Sequence, residues 1–360
     1  MSALNSHIGQ PLPRIEDLRL LRGRGQFVDD LHFDGMLHAA LLRSAIPHGH
    51  ILRLDTAPAL ALPGVVAVIT AADVGSPVPT IPLRLAPLTD LAPYEQPVIA
   101  NGKVRYVGEP IAVVIAETAA IAEDAFDLIV VEIETLSPCV DTGTALGSQT
   151  LLFEEMGTNL ALTYKAVLGD AASAFASATT DEFYIHRERL DTQRHTATTM
   201  ETRGLIGHWD SKKQHLTVYG AAKVPFASRG MLARQIGLPE SAIDLITGDV
   251  GGGFGMRGEF YPEDFLIPFA ARHVNRPVKW IEDRREHLLT CNHAREFDCD
   301  IELLCRRNGT ILAVRGHING NIGAYIRSNA TIAPRNVAQC FSGPYRIPEY
   351  PYRSIYGRDE

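Results

Sequence analysis

Gly251-Gly252-Gly253-Phe254-Gly255-Met256-Arg257-Gly258-Glu259 decides how this chain is read. Five of its first eight residues are glycine. Without a Cβ, a glycine can take φ > 0 or let another group press against its amides, and we expect φ > 0 at Gly253, Gly255 or both. The residues before it, Ala242 to Thr247, alternate as a strand does. After it, Pro262-Glu263-Asp264 opens an apolar run to Ala271, with proline at the first helical position and acids in the first turn. A strand, a glycine turn and a helix leave free N–H groups that can cradle an anion. The same glycines would also serve a tight turn with no ligand.

Gly253-Phe254-Gly255-Met256-Arg257-Gly258 also fits G-x-G-x-x-G, with Glu282 and Asp283 downstream as candidate ribose-binding acids. A dinucleotide fingerprint needs the helix to begin inside the motif, so that its N-terminus meets the pyrophosphate. Here Pro262 sets the helix start several residues too late, and a nicotinamide-binding reading is set aside.

The wider context is more specific. Asp249 to Gly255, Tyr261-Pro262-Glu263-Asp264 and Arg276-Pro277-Val278-Lys279-Trp280-Ile281-Glu282-Asp283-Arg284 together resemble the molybdenum hydroxylases. These are the xanthine dehydrogenase and aldehyde oxidase family, and the carbon monoxide dehydrogenase large-subunit type in particular. The resemblance runs from about Arg14 to Tyr350 and covers only the N-terminal half of such a subunit. It implies an α+β fold: an a/b hammerhead domain over residues 14–136, then the first, truncated part of a molybdopterin-binding domain over 150–360. It implies a molybdenum–molybdopterin cofactor in its cytosine dinucleotide form. It further implies 2Fe-2S clusters on a small partner subunit and FAD on a medium one.

By the same resemblance, Gly251, Gly252, Gly253, Phe254, Gly255 and Arg257 contact the cofactor, and Phe254 borders the substrate pocket. Lys223 stands where relatives place a Gln that donates to a molybdenum oxo ligand. Glu259 is a third catalytic candidate, one position after the acid of xanthine-type relatives. Gln193-Arg194, then Met200-Glu201-Thr202-Arg203-Gly204, matches a family segment in which Thr199 and Thr202 replace prolines. Glu201 and Arg203 there read as a strand-edge ion pair.

A formal net charge of −8, without a basic stripe, speaks against a nucleic-acid partner. No apolar run reaches the roughly 18 residues of a membrane span, and Met1 to His7 lacks a signal-peptide pattern. The five cysteines form no C-x-x-C pair, which argues against an iron–sulfur or structural zinc site and for reduced thiols in the cytoplasm. His48 and His50 would share a strand face but have no third ligand nearby, and read as structural.

In the first part, strands are expected at Met36 to Ser44, Ile51 to Asp55, Val65 to Thr70 and Ile111 to Ala116. A helix over Ala119 to Asp127 then leads to a strand over Leu128 to Glu134, as two parallel-type strands around a helix. In the hammerhead resemblance this domain carries no chemistry, and Gly108 and Glu109 read as structural. Pro, Gly, Ser and Thr accumulate from Ser137 to Gln149, marking a boundary. Beyond it, His215 to Gly220 reads as a strand, Phe226 to Gln235 as a helix, and Asn308-Gly309 as a type I′ hairpin.

Related large subunits are about twice this length, so the chain reads as a truncated subunit or fragment, or as one chain of a split enzyme. Tyr352 to Glu360 only superficially resembles their later active-site loop. The activity implied is hydroxylation of a small aldehyde, heterocycle or carbon monoxide-like substrate with water as the oxygen source. The rival is a non-catalytic assembly remnant.

Overall fold

The computed structural model describes residues 9–84, 89–178, 181–294, 296–348 and 350–355, apart from the side chains of 89 and 350–355. Met1 to His7 and the end of Tyr352 to Glu360 lie outside the described residues.

Continuity and alternation sort the strands. Pro110–Ala116 is an unbroken apolar run and is buried at all positions, as a strand covered on both faces must be. Val113 and Ile115 enter the main core, which also holds Phe265, Leu266 and Ile267. Ala112, Val114 and Ala116 enter a second core with Ala122 and Ala125 of the Ala119–Phe126 helix. Val130–Thr135 instead alternates half-buried and exposed positions, so it belongs at a surface. It pairs antiparallel with Gly49–Asp55 in a separate three-stranded sheet, while Pro110–Ala116 pairs antiparallel with Leu37–Arg43 and Val65–Ile69. The expected parallel-type pair around the helix is therefore not formed.

The main sheet has seven strands in the order Ile243–Ile246, His215–Gly220, Gly204–Asp210, Val278–Ile281, Leu37–Arg43, Pro110–Ala116, Val65–Ile69. Leu37–Arg43 lies parallel to Val278–Ile281. The compositional boundary at 137–149 is thus not a boundary of this sheet, which spans both expected domains. A second sheet of five strands contains the Phe297–Arg306 and Ile311–Gly320 hairpin. Its turn is not type I′: Gly309 has φ 87°, whereas Asn308 is not in the positive-φ region. Arg306 C=O accepts from Gly309 N–H, and pairing shifts register at Leu304/Cys305. That is a three-residue loop whose glycine sits in a bulge.

His215–Gly220 and Ile243–Ile246 run parallel, so both chains leave the sheet at the same end. The first exit leads to Lys223 and the helix Pro225–Ile236, the second to the glycine turn and the helix Pro262–Val274. No helix among the described residues is long and apolar enough to cross a membrane.

Candidate functional site

The turn is anchored before it begins. Asp249 accepts both terminal nitrogens of Arg19 (2.6 and 2.5 Å) and the Gln26 amide (2.7 Å). The hydrogen bonds from Arg19 hold its carboxyl at about 2.

Gly251 meets Glu201 so closely that a Cβ there would lie 2.3 Å from the Glu201 Cβ. Its N–H donates to Glu201 Oε2 (2.8 Å) and its C=O accepts from the Glu201 amide (3.2 Å). Gly252 then takes φ 106°, Phe254 φ 45° and Gly255 φ 99°. The expectation for Gly253 or Gly255 is met at Gly255. Met256–Gly258 is a short 3-10 turn, and the helix starts only at Pro262, too late for the dinucleotide reading.

Arg257 is bonded within the turn itself. Its side chain is 4% exposed and points behind the turn. Nε donates to Gly252 C=O (2.7 Å), and Nη2 to Glu201 C=O (2.8 Å), Thr202 C=O (3.0 Å) and Glu201 Oε2 (3.0 Å). These donors serve the backbone of the loop, so Arg257 shapes the turn from inside.

The expected Glu201–Arg203 pair is not formed. The chain bends at Glu201 and enters the sheet at Gly204, which buries Arg203 among other carboxylates. Arg203 donates to Glu263 (2.9 Å) and Glu282 (2.5 Å), and its guanidinium carbon sits 3.9 Å from the Tyr261 ring centroid. Arg43 bridges Glu263 (2.6 Å) and Glu286 (2.7 Å). Burial alone would raise Glu263, but Arg203 and Arg43 outweigh it and hold the carboxyl at about 2. Glu282 also accepts from Thr290 and faces His287 Nδ1 (2.8 Å). Asp283 caps the helix Arg284–Thr290. Neither acid is left for a ribose.

Glu259 is engaged too. Its carboxylate accepts from Ser328 Oγ and from Asn329 Nδ2 (2.5 Å), and Asn329 also reaches Gly258 C=O (3.1 Å). The same segment grips the N-terminal region: Tyr325 Oη donates to Glu109 (2.6 Å) and Arg327 to Gln96 (2.6 Å). Glu109 is fully buried, and desolvation lifts its carboxyl to about 7 against the hydrogen bonds from Tyr325 and Arg105. Gly108 takes φ 103° and donates to Ser44 C=O. His48 is buried, with Nδ1 2.9 Å from Ser137 C=O. The structural readings of all three agree with these contacts. The Tyr325–Asn329 staple and the Arg43–Glu263 bridge escaped the sequence reading. Charged residues at Glu263 and Arg43, set within apolar runs, were the available signal.

The front of the turn is the opposite. Among the described residues, the amides of Gly252, Gly253, Phe254 and Gly255 donate to no protein acceptor. A Cβ on Gly253 or Gly255 would meet nothing within 4 Å. Phe254 is 83% exposed and Met200 92%. Lys223 is exposed, its amide bonded to Arg257 C=O (3.1 Å), and its Cδ would lie 3.3 Å from a Cβ on Gly258. Unbonded N–H groups, with open space at Gly253 and Gly255 and an exposed lysine at the end of the turn, suit an anionic group.

A mixed α/β scaffold that presents such a turn defines a cofactor-binding protein, and comparison with known proteins gives the kind. The family model described as aldehyde oxidase and xanthine dehydrogenase, a/b hammerhead domain, matches residues 22–137, and that of the molybdopterin cofactor-binding domain matches 152–356. The chain belongs to this molybdenum hydroxylase family. It is 35% identical over 350 residues to the nicotine 6-hydroxylase large subunit of Paenarthrobacter nicotinovorans, covering 96% of this chain and 42% of that protein. Quinoline 2-oxidoreductase from Pseudomonas putida 86 superimposes with TM-score 0.88 at 34% identity, covering 96% of this chain and 43% of that one. Carbon monoxide dehydrogenase from Oligotropha carboxidovorans gives 0.85 at 30% identity, covering 96% and 44%. The chain thus spans about two fifths of the length of these relatives.

Proposed function

We propose that this chain is the cofactor-facing part of a molybdenum hydroxylase large subunit. The substrate would be a small aldehyde, heterocycle or carbon monoxide-like molecule, with water as the oxygen source. One observation carries this reading: four consecutive amides, Gly252 to Gly255, have no protein acceptor among the described residues, in a turn that Glu201 and Arg257 hold by its backbone. When bound, the molybdenum–pterin group would supply the redox chemistry of the hydroxylation. The chain's own contribution is placement. The amides of Gly252 to Gly255 hold anionic atoms, and Phe254 forms a wall of the substrate side. Lys223 brings an ammonium to the same edge as a donor to negative charge. Gly251 and Arg257 act from within, and Glu259 holds the exit of the turn.

The cofactor is proposed in its cytosine dinucleotide form. An iron–sulfur small subunit and an FAD-binding medium subunit would carry the electrons away. The second molybdopterin domain would come from the remaining polypeptide or a separate chain, and the assembly would be cytoplasmic. Domain limits of 14–136 and 150–360 belong to this reading.

Enclosure decides the test. A large anionic ligand held on one side stays open to water and dissociates by mass action. The chain is produced in a molybdopterin-competent host, alone and together with the C-terminal remainder of a relative's large subunit, and molybdenum and pterin are measured per polypeptide. We expect traces in the first case and near-stoichiometric content in the second. An empty complemented assembly would overturn the function, and a fully loaded lone chain would overturn the half-site.

A further inference from the structure

We infer that Glu201 is a positioning residue for the outward amides of the glycine turn, acting through Gly251 and Arg257 and touching no ligand itself. The inference rests on the reading that this turn faces the cofactor. Two contacts converge on one carboxylate oxygen, and a third passes their hold on to the turn. The Glu201 carboxylate draws the first amide of the turn, Gly251 N–H, inward at 2.8 Å. The same oxygen holds Arg257 Nη2 at 3.0 Å, and that guanidinium in turn pins Gly252 C=O at 2.7 Å. With the Gly252 carbonyl fixed by Arg257, the planar trans peptide turns the Gly253 N–H to the opposite side, and the amides of Gly252 to Gly255 are left without a protein acceptor among the described residues.

The lever has its own support. Arg284 Nη2 donates to Thr199 C=O (2.6 Å) and Met200 C=O (3.1 Å), and Thr199 Oγ1 donates to Glu201 C=O. Arg284 thus holds the two carbonyls before Glu201, while Arg257 and Thr199 hold that of Glu201 itself. Burial works against the Arg257 charge, and the Glu201 carboxylate works for it. Removing that carboxylate leaves a buried cation with carbonyl partners only, and releases the first amide of the turn. Gly251 is part of the device, because no side chain fits between it and Glu201.

The test compares Glu201→Ala, Glu201→Gln and Glu201→Asp with Arg272→Met in the 360-residue chain, without cofactor. Arg272 donates to Ile236 C=O away from the turn, so its variant controls for general loosening. Two readouts are taken: hydrogen exchange of the Gly251 and Gly258 amides, and the response of the Gly252 to Gly255 amide signals to inorganic pyrophosphate. In Glu201→Ala, we expect exchange at both protected amides to speed up at least tenfold and the pyrophosphate response to weaken at least tenfold. Glu201→Gln, which keeps an acceptor, should recover most of the protection but not the Arg257 pairing. Glu201→Asp should recover neither, because it falls short of Gly251. Arg272→Met should leave both readouts as in the parent chain. Unchanged exchange and response in Glu201→Ala, or equal changes in Arg272→Met, would overturn the inference. A parent chain whose amides ignore pyrophosphate would count against the anion-binding reading, and exchange at Gly251 would still decide the role of Glu201.

Discussion

The two faces of the Gly251 to Glu259 turn are built of different material. Behind it, Arg43, Arg203 and Arg257 interleave with Glu201, Glu263, Glu282 and Glu286, and each charge meets an opposite one within about hydrogen-bond distance. In front stand Phe254, Gly255 and Lys223, exposed, and Gly253, half-buried, with no protein acceptor for the three amides of Gly253 to Gly255 among the described residues. Burying ions is costly unless they are paired, so the rear network tolerates few alternative arrangements and fixes the backbone in front of it. The front makes no contribution to the fold that would explain its residues. A strained, exposed aromatic on four free amides has to be accounted for by what it meets.

The largest test of this contrast is Arg203→Met. It leaves Glu263 and Glu282 without their shared partner, and removing one member of a buried ionic network costs about 3–5 kcal/mol. Urea unfolding should show that loss. A change below about 1 kcal/mol would mean that the rear is no more structural than the front.

Next comes Glu109, at the joint between the N-terminal region and Tyr325. Its carboxyl is lifted from 4.5 to about 7. Between those values the folded chain holds a proton that the unfolded chain has lost, so stability falls as pH rises through that window, and the loss is complete above about 7. At about 1.4 kcal/mol per pKa unit the full effect is on the order of 3 kcal/mol. Glu109→Gln has no such titration. Its stability relative to the parent should therefore improve from pH 5 to pH 8, and a flat difference would remove Glu109 from the network. Gly251→Ala should cost about 1–3 kcal/mol, because the added methyl meets Glu201 at 2.3 Å.

Which parts were legible beforehand follows from how far apart the interacting residues lie. The Pro262 helix start, the Pro225–Ile236 helix and the glycine turn are local, and the chain states them through proline, glycine and spacing. A helix between two strands, as at Ala119–Phe126, suggests a parallel pair that does not form; the half-exposed alternation of Val130–Thr135 is the feature that marks a surface sheet. Arg203 with Glu263 and Glu282, Glu201 with Arg257, and Glu109 with Tyr325 are separated by 60, 79, 56 and 216 positions. No spacing announces such contacts. Arg257 and Glu259 reach the ligand in the sequence only through resemblance, since sequence order shows that residues share a turn, not which side of it they face. The cofactor itself was legible only through resemblance, since a glycine turn alone does not name its anion.

The smallest predicted effect is at the front and is the most discriminating in sign. Phe254 holds φ 45°, a left-handed conformation that disfavours a side chain by roughly 1–2 kcal/mol and that glycine adopts freely. Its ring is largely in water, so its removal forfeits little burial. Phe254→Gly should therefore be more stable than Phe254→Ala by about 0.5–1 kcal/mol, the extra freedom of glycine in the unfolded chain offsetting part of the relief. Phe254→Ala itself should lie within about 0.5 kcal/mol of the parent, as surface changes do. Paired urea curves at one pH check both. If the parent is the most stable of the three by more than about 1 kcal/mol, the ring packs against this chain, and the front of the turn is as structural as its back.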